Sequence, residues 1–365
     1  AERLSDCIDG DGLLTRFGGD EFVYVATNIS DESDCEDIAK NLAYCFEKSF
    51  QLSTENIHIT SSIGISLYPK HGQEIDDLLK NADVAMYQAK AEGRNRYHFF
   101  THALSQQLRQ HRDIAANLRT SLSNNEFELL YQPQYDLKTG KVASCEALLR
   151  WRPQNESLAV PPNVFIPIAE RSDLIVQIGN WVLENACQQA RLWKEKGIEV
   201  RIDVNVSGKE LEKTAYFERL ANYRNQYHLL PKDIGLELTE NILIKSDSAI
   251  LNNLQHQRDL GVEISLDDFG TGYSSLSYLK HFPVSHLKID RSFLKGAPEK
   301  AFDSALMEAI VNVGHKLDLY IVVEGVETEQ QSNYCKSLNV EFVQGYLYSK
   351  PISADAMEAL LRKQS

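Results

Sequence analysis

Short apolar segments alternate with longer amphipathic segments from Phe127 to the end of the chain. This alternation is typical of parallel βαβ units, which form an open sheet or close into a barrel. The number of segments favours a TIM-like (β/α)8 barrel, an α/β fold. The predicted strands are 127 to 133, 142 to 149, 200 to 206, 234 to 239, 262 to 267, 285 to 290, 320 to 325 and 341 to 346. The predicted helices are 174 to 196, 209 to 227, 248 to 260, 302 to 317 and 328 to 338.

The first two predicted strands of this region are joined by a very short connection. Its sequence is Asp136-Leu137-Lys138-Thr139-Gly140. That length is too short for a crossover helix and is typical of a hairpin. We therefore expect one early strand of the barrel to run antiparallel.

The first hundred residues show a different order of elements. The strand-like segments are Phe22 to Ala26 and Ile57 to Leu67, and the helical ones are Glu36 to Phe50 and Ile75 to Ala91. This order indicates a separate α+β unit. The polar stretch that follows has apolar residues near helical spacing. The sequence thus predicts an N-terminal unit over 1–102, a linker helix over 103–122 and the barrel over 123–365.

Length and charge narrow the classes of function. With 365 residues the chain accommodates two domains, one of them a barrel of about 250 residues. The net charge of -14 disfavours a nucleic-acid polymer as partner, because non-specific binding to phosphates depends on Lys and Arg. A phosphate ligand would therefore need metal ions to mediate its binding.

Cysteine usage and the chain start bear on localisation. The six cysteines show neither close pairing nor zinc-type spacing with histidines, so we expect reduced thiols and a cytoplasmic location. No apolar run approaches the roughly 20 residues that a membrane span needs. The chain begins at Ala1 rather than at Met, so we expect a fragment of a longer parent with an upstream sensor, membrane span or catalytic sequence.

A polar side chain recurs near the C-terminal end of the predicted barrel strands, on the face opposite the apolar set. In 234 to 239, for example, Glu237 lies opposite Leu236 and Leu238. Seven consecutive strands carry such residues, namely Glu146, Asn205, Glu237, Asp267, Lys288 with Asp290, Glu324 and Gln344. Barrel active sites lie at the C-terminal face, so we expect these side chains to converge at one mouth.

Convergence of so many carboxylates requires cations. Hard oxygen ligands suit Mg²⁺ or Mn²⁺. The adjacent pair Asp267 and Asp268 fits two ions about 3.5 to 4 Å apart, the arrangement that stabilises both the attacking and the leaving oxygen in phosphoryl chemistry. Phosphodiester hydrolysis is the reaction class that this pattern favours.

Each of these residues also has a purely structural interpretation. Asn205 fits a cap of the helix after Ser207, and Lys288 fits a surface residue on an edge strand. The run from Asp267 to Gly272 fits a glycine-rich turn. For any single residue the structural interpretation is preferable, whereas seven in register favour a site.

The same residues give the sequence a resemblance to the EAL family of cyclic di-GMP phosphodiesterases. The resemblance covers the chain from about Gln107 to the C-terminus. Its motifs are Glu146-Ala147-Leu148, Val204-Asn205-Val206-Ser207, Glu237-Leu238-Thr239-Glu240, Asp267-Asp268-Phe269-Gly270-Thr271-Gly272, Lys288-Ile289-Asp290, Glu324-Gly325-Val326-Glu327 and Gln344-Gly345-Tyr346. So many motifs in the same order are highly specific, whereas the three-letter motif alone would mean almost nothing.

The resemblance implies a role for each matching residue and hydrolysis of cyclic di-GMP to linear pGpG. The implied metal ligands, for two Mg²⁺ or Mn²⁺ ions, are Glu146, Asn205, Glu237, Asp267 and Asp268. The implied catalytic residues are Lys288 for the attacking water, Glu324 and Gln344 beside it, and Glu240 to hold the loop after Asp268. The implied substrate contacts are Gln132, Arg150, Asp290 and Glu327. Family habit also implies a homodimer formed near the segment after Asp268.

The N-terminal unit resembles the GGDEF family of diguanylate cyclases. The resemblance rests on Arg16-Phe17-Gly18-Gly19-Asp20-Glu21-Phe22 and on a later segment from Asn81 to Lys90. The part of that family's domain that precedes the signature, with a further metal-ligating aspartate, has no counterpart in this sequence. The unit is therefore expected to be a partial domain without cyclase activity of its own.

Two alternatives to a plain hydrolase stay open at this stage. One is a receptor that binds cyclic di-GMP without cleaving it and signals through the linker helix. The other is a bifunctional parent protein in which the N-terminal domain makes cyclic di-GMP or binds GTP to modulate the barrel.

Overall fold

The computed structural model describes residues 2–7, 12–51, 56–213, 215–270, 279 and 282–364. The chain folds as two compact units, Ala1–Asp113 and Ile114–Ser365. The change from one unit to the next falls inside a single helix, His102–Ser121. A helix was predicted there over 103–122.

The N-terminal unit consists of short paired strands and helices. The strands are β1 Leu13–Gly18, β2 Glu21–Val25, β3 Phe50–Gln51, β4 Asn56–Ile57, β5 Ser62–Ile65 and β6 Arg96–Phe99. The helices are α1 Glu2–Asp6, α2 Glu32–Tyr44, α3 Ile75–Ala91 and α4 His102–Ser121. The pairs β1–β2 and β3–β4 are antiparallel, whereas β5–β6 is parallel.

Two predicted elements of this unit differ from the structure by more than one residue at an end, and α1, β1, β3 and β6 were not predicted. The segment 57 to 67 forms parts of two strands, β4 and β5, which belong to different sheets. Helix α2 begins four residues earlier than expected, because the Asp31 carboxylate accepts hydrogen bonds from the Ser33 and Asp34 backbone N–H groups at 2.8 and 3.2 Å. Such a capping box satisfies amides that the first helical turn leaves without partners.

The prediction of six reduced thiols is wrong for one pair, since Cys7 and Cys45 form a disulfide. Cys35, Cys145, Cys187 and Cys335 are free and buried. The two bonded cysteines are 38 residues apart in sequence, so their spacing gave no sign of pairing. Near this disulfide the Arg3 guanidinium donates to the carbonyls of Lys48 and Ser49, at 2.6 and 2.8 Å, which ties α1 to the chain that follows α2.

The second unit contains a closed eight-stranded barrel, which confirms the predicted fold class. Its strands are β7 Phe127–Asp136, β8 Val142–Trp151, β9 Arg201–Asn205, β10 Ile234–Thr239, β11 Ile264–Phe269, β12 His286–Ile289, β13 Tyr320–Val323 and β14 Phe342–Val343. They close in the order β10-β11-β12-β13-β14-β7-β8-β9. Strand β7 is antiparallel to both neighbours, β8 and β14, and the other pairs are parallel. The antiparallel early strand expected from the short connection is therefore present.

Helices connect and surround these strands. They are α5 Pro162–Glu170, α6 Leu174–Glu195, α7 Gly208–Leu211, α8 Ala215–Gln226, α9 Glu240–Lys245, α10 Ser248–Asp259, α11 Arg291–Leu294, α12 Ala301–Lys316, α13 Glu329–Ser337 and α14 Ala354–Arg362. The predicted helix 209 to 227 is two helices, α7 and α8, while α5, α9, α11 and α14 were not predicted. All four have fewer than ten residues, which leaves little helical period to detect in the sequence. Within the described ranges, no helix is both long and apolar enough to cross a membrane.

Strand register places the polar residues of the barrel together. Leu236 of β10 pairs with Val204 of β9 and Ile264 of β11, and all three are fully or almost fully buried. Because successive side chains alternate between the two faces of a strand, Glu237 projects to the opposite face from Leu236. Its register partner on β9 is Asn205. The apolar residues thus pack one face of the sheet while the polar ones meet at the other.

Candidate active site

Lys288, on β12, lies at the centre of a cluster of four carboxylates. Its Nζ is 2.7 Å from Glu237 Oε2, 2.7 Å from Glu324 Oε1, 3.3 Å from Asp267 Oδ1 and 3.6 Å from Glu146 Oε2. The lysine side chain is 1% exposed. Five residues singled out in the sequence therefore meet at one buried point.

The charges of this cluster are not balanced. Burial alone would lower the pKa of Lys288, but the surrounding carboxylates, led by Asp267, outweigh it and raise that pKa well above its ordinary value. Lys288 is therefore an ammonium, which donates hydrogen bonds and has no lone pair to accept a proton. A single ammonium cannot neutralise four carboxylates, so the site carries an excess of negative charge.

Two of the three glutamates of the cluster, Glu237 and Glu146, have pKa values shifted in opposite directions. Burial raises the pKa of Glu237 well above its ordinary value, and repulsion from Glu146 adds to the effect. Burial also acts on Glu146, but the charge of Lys288 and hydrogen bonds from Gln344 Nε2 and Asn205 Nδ2, each at 2.7 Å, outweigh it and lower the pKa of Glu146. Glu146 is thus the more stable anion of the two.

The acids on the other side of the cluster have raised pKa values. Burial, opposed by Lys288 and reinforced by repulsion from Asp267, raises the pKa of Glu324 to about 8. The pKa of Asp268 is raised by burial and then by repulsion from Asp267 and Asp290. Burial and crowding of acids at the ends of β11, β12 and β13 therefore disfavour the ionised forms of Glu324 and Asp268.

Asp267 and Asp268 lie in an irregular part of β11, where the pairing with β12 shifts register between Leu266 and Phe269. Asp268 has φ of 53°, in the left-handed region, and Gly270 follows with φ of 93°. The Asp268 N–H donates to Asp267 Oδ1 at 2.9 Å. A non-glycine residue in this region is uncommon and is concentrated at functional sites. This irregularity leaves Asp267 in contact with Lys288 and Asp268 on the exposed side.

Two glutamines extend the site toward β7 and β14. Gln344 Nε2 donates to Glu146 Oε2 and, at 3.0 Å, to Gln132 Oε1. Gln132 Nε2 donates in turn to the Ser349 carbonyl at 3.1 Å. The remaining polar atom of this group, Gln344 Oε1, is buried and has no hydrogen-bond partner among the described residues.

Four further residues named from the sequence lie around this cluster. Arg150 donates to the Leu149 carbonyl, and the Asp290 carboxylate accepts from the Ser292 N–H at the start of α11. Glu327 is exposed, whereas Glu240 is buried at the start of α9. The loop that Glu240 was expected to hold, 271–278, is outside the described residues, so this role stays a prediction.

The donor set fits a hard divalent cation, although the carboxylates turn toward Lys288 here. Among the residues that the structure describes, no group of three or more Asp, Glu, His or Cys side chains is arranged to hold a metal. Carboxylate and amide oxygens, excess negative charge and the unpartnered Gln344 Oε1 are nevertheless the chemistry that Mg²⁺ or Mn²⁺ prefers. A cation would have to share these carboxylates with Lys288.

Sequence reasoning missed a polar layer next to this site. Gln134 Nε2 lies 3.4 Å from Glu237 Oε1, and Ser144 Oγ donates to Gln134 Oε1 at 2.8 Å. Arg201 and Asp203 form an ion pair at 2.6 Å in the same layer. Extending the two-residue period would have found them, because Gln134 shares a strand face with Gln132, as Asp203 does with Asn205. The structure also corrects the place of Glu146, which is in the middle of β8 and not at its end.

The acidic signature of the N-terminal unit forms the turn between β1 and β2. Gly19 has φ of 52°, and the Arg16 guanidinium donates to the Gly19 carbonyl at 3.0 and 2.7 Å. Asp20 and Glu21 are exposed. In the described part of this unit, the signature is a solvent-facing hairpin turn.

Comparison with known proteins assigns each unit a family resemblance. Residues 115–351 match the model of the EAL domain. Residues 1–96 match the model of the diguanylate cyclase, GGDEF domain. Both matches agree with the motifs quoted from the sequence.

Two curated relatives match almost the whole chain. It is 39% identical over 98% of its length to the bifunctional diguanylate cyclase/cyclic di-GMP phosphodiesterase MucR of Pseudomonas aeruginosa, covering 52% of that protein. It is 36% identical over 97% of its length to the cyclic di-GMP phosphodiesterase PdeR of Escherichia coli, covering 53% of it. The chain thus spans about half the length of the curated relatives it matches.

A solved structure resembles the barrel unit. The PaMucR phosphodiesterase in complex with c-di-GMP matches with a TM-score of 0.63 and 40% sequence identity. The match covers 67% of this chain and 99% of that one.

Proposed function

The chain belongs to the EAL domain family, and from that premise we propose that it hydrolyses cyclic di-GMP to linear pGpG with the aid of Mg²⁺ or Mn²⁺. The observation that carries this proposal is the buried Lys288 among four carboxylates contributed by different segments of the barrel. Relatives named as cyclic di-GMP phosphodiesterases, and a related barrel in complex with c-di-GMP, support the choice of substrate.

Five oxygen-bearing residues are assigned to two divalent cations, namely Glu146, Asn205, Glu237, Asp267 and Asp268. When bound, such ions supply Lewis acidity toward phosphate oxygens and lower the pKa of water. The chain's own contribution is to hold the oxygens in place. Gln344 Nε2 and Asn205 Nδ2 orient the Glu146 carboxylate, and the strand register fixes Glu237 beside Asn205.

Lys288 is assigned to the attacking water. Since its ammonium is held by Glu237 and Glu324, it is suited to orient that water by donating a hydrogen bond and not to abstract its proton. Glu324 and Gln344 lie beside it as further partners for water, and Glu240 is assigned to the loop after Asp268. Arg150 offers a guanidinium fork to a phosphate. The remaining substrate contacts are assigned to Gln132, Asp290 and Glu327.

Chromatographic product analysis tests this proposal. The whole chain is incubated with cyclic di-GMP and Mg²⁺ or Mn²⁺, beside Glu146→Ala and the matched control Glu128→Ala, a half-exposed glutamate that pairs with Arg152. We expect pGpG from the native chain and from the control, and a loss of at least about 100-fold for Glu146→Ala. Equal turnover by Glu146→Ala would contradict the site assignment, and tight binding with no turnover by the native chain would favour a receptor.

Three related expectations remain predictions. The expected homodimer forms near the segment after Asp268, of which 271–278 lie outside the described residues. A mass in solution of twice 41.4 kDa would support a dimer. We also propose that the N-terminal domain of the intact parent binds GTP and that the protein is located in the cytoplasm. Titration of a longer chain with GTP tests the proposed GTP binding.

A further inference from the structure

A chain of buried polar side chains leads from the interior of the barrel to Glu237. Gln134 of β7 and Ser144 of β8 are register partners, and each is 2% exposed. Ser144 Oγ lies 2.8 Å from Gln134 Oε1, and Gln134 Nε2 lies 3.4 Å from Glu237 Oε1. The other oxygen of that carboxylate, Oε2, is held by Lys288 at 2.7 Å. Each Glu237 oxygen thus has its own donor.

The donor and acceptor inventory fixes the direction of these hydrogen bonds. Arg201 has only donors, and its Nη2 lies 3.4 Å from Ser144 Oγ, so the hydroxyl accepts from Arg201 and donates to Gln134. Gln134 Oε1 therefore accepts from Ser144, and the Gln134 side-chain N–H group is directed at Glu237. Arg201 is itself anchored by two hydrogen bonds to Asp203, at 2.6 and 3.3 Å. The order of donation is Arg201 to Ser144 to Gln134 to Glu237.

We propose that Gln134 is a positioning residue that holds Oε1 of the Glu237 carboxylate for the divalent cation, and that Ser144 sets the orientation of its amide. The inference rests on the proposed function, in which Glu237 is a metal ligand. The long 3.4 Å contact gains weight from burial, since water does not compete for either atom there. Side chains that orient a metal ligand in this way typically contribute about 10-fold or more to metal affinity.

Titration of the whole chain with Mn²⁺ alone, followed by calorimetry, tests the proposal without relying on turnover. We expect Gln134→Leu, which keeps the size but removes the donor, to weaken Mn²⁺ binding about 10-fold. Ser144→Ala leaves the amide present but free to turn, so its effect is expected to be smaller. Gln188→Leu is the matched control, because that glutamine is exposed on helix α6. It is expected to bind Mn²⁺ as the native chain does.

A purely structural role would give a different pattern. We expect Ser144→Ala to cause no further loss in the Gln134→Leu background, because both act through the same amide. We also expect the melting temperature of the metal-free variants not to follow the order of their Mn²⁺ affinities. Native affinity in Gln134→Leu, with a native chain that binds Mn²⁺ and cleaves, would overturn this inference alone. A native chain that neither binds Mn²⁺ nor cleaves would overturn the proposed function, and the inference with it.

Discussion

Two acidic pairs, one in each unit, show how much the fold changes the same local chemistry. Asp20 lies in the turn of the β1–β2 hairpin, next to a glycine with positive φ, and Glu21 begins β2; both are exposed. Asp267 and Asp268 lie near the end of β11, where Asp268 also has positive φ, yet Asp267 contacts the buried Lys288. Asp267 thus belongs to a cluster of buried charges, whereas the first pair faces solvent.

The difference follows from what surrounds each pair. The β1–β2 sheet has two strands, and apolar side chains on it such as Leu13 and Phe17 are 65% and 69% exposed. The closed barrel surrounds its interior residues with eight strands and a layer of helices. Charges in that enclosure interact through a medium of lower effective dielectric than water. An acidic motif thus becomes a site only where the fold removes solvent from around it.

The largest expected effect comes from removing the central cation of the barrel site. We expect Lys288→Met to lower the free energy of unfolding by about 3 to 5 kcal/mol in metal-free buffer, because four buried carboxylates lose their shared partner. Lys40→Met is the matched change in the N-terminal unit, where the ammonium is 56% exposed, and should leave stability nearly unchanged because solvent screens its ion pairs. Urea unfolding measures both. Equal losses of stability in the two variants would contradict the contrast between the buried and the exposed lysine.

The same comparison applies to apolar packing. Ile264 of the barrel is fully buried, whereas Ile75 at the start of α3 is 74% exposed. Ile264→Ala should cost about 2 to 5 kcal/mol through lost burial and the cavity left behind. Ile75→Ala should change stability by no more than about 0.5 kcal/mol. Unfolding curves of the two variants sharpen the comparison, and an equally large loss for Ile75→Ala would contradict it.

A pH-dependent contribution is expected from Glu210 of α7. Burial raises the pKa of Glu210 to about 7, although hydrogen bonds from the Ser207 N–H and hydroxyl oppose the shift. The folded chain then binds a proton that the unfolded chain releases near pH 4.5, so this contribution to stability falls as pH rises from about 4.5 to about 7. Above that range the cost is about 3 kcal/mol.

Glu210→Gln should therefore stabilise the chain at pH 8 and have little effect at pH 4. Unfolding free energies measured across this pH range check the prediction. Glu32→Gln is the control in the N-terminal unit, since that carboxylate is exposed and pairs with Lys70. A parallel shift of the whole curve by Glu210→Gln would contradict the assigned cause.

The smallest expected effect, on the rate of hydrolysis, comes from neutralising the exposed acidic pair of the hairpin. Asp20→Asn with Glu21→Gln should leave hydrolysis of cyclic di-GMP within about twofold of the native rate, because neither side chain belongs to the barrel site. The product analysis described above measures this rate in the absence of GTP. A strong loss would show that the N-terminal signature acts on the barrel even without nucleotide.

Local periodicity determined much of this protein from the sequence. The alternation of Leu236, Glu237 and Leu238 predicts that a carboxylate lies on the strand face opposite the apolar side chains. The connection of five residues between β7 and β8 predicts a hairpin. Both features depend on neighbours along the chain. The fold class and the residues of the site could be read for that reason.

Only the tertiary structure decided which of these residues touch. Lys288 belongs to β12, yet its four partners come from β8, β10, β11 and the chain after β13. Gln134 gains its place beside Glu237, 103 residues away, through closure of the barrel, and Cys7 meets Cys45 through the packing of α1. The spacing of apolar residues in a sequence indicates whether a segment is a helix or a strand, but it does not indicate how a strand aligns with strands distant in sequence. Contacts across the barrel therefore follow from its closure, which no local segment specifies.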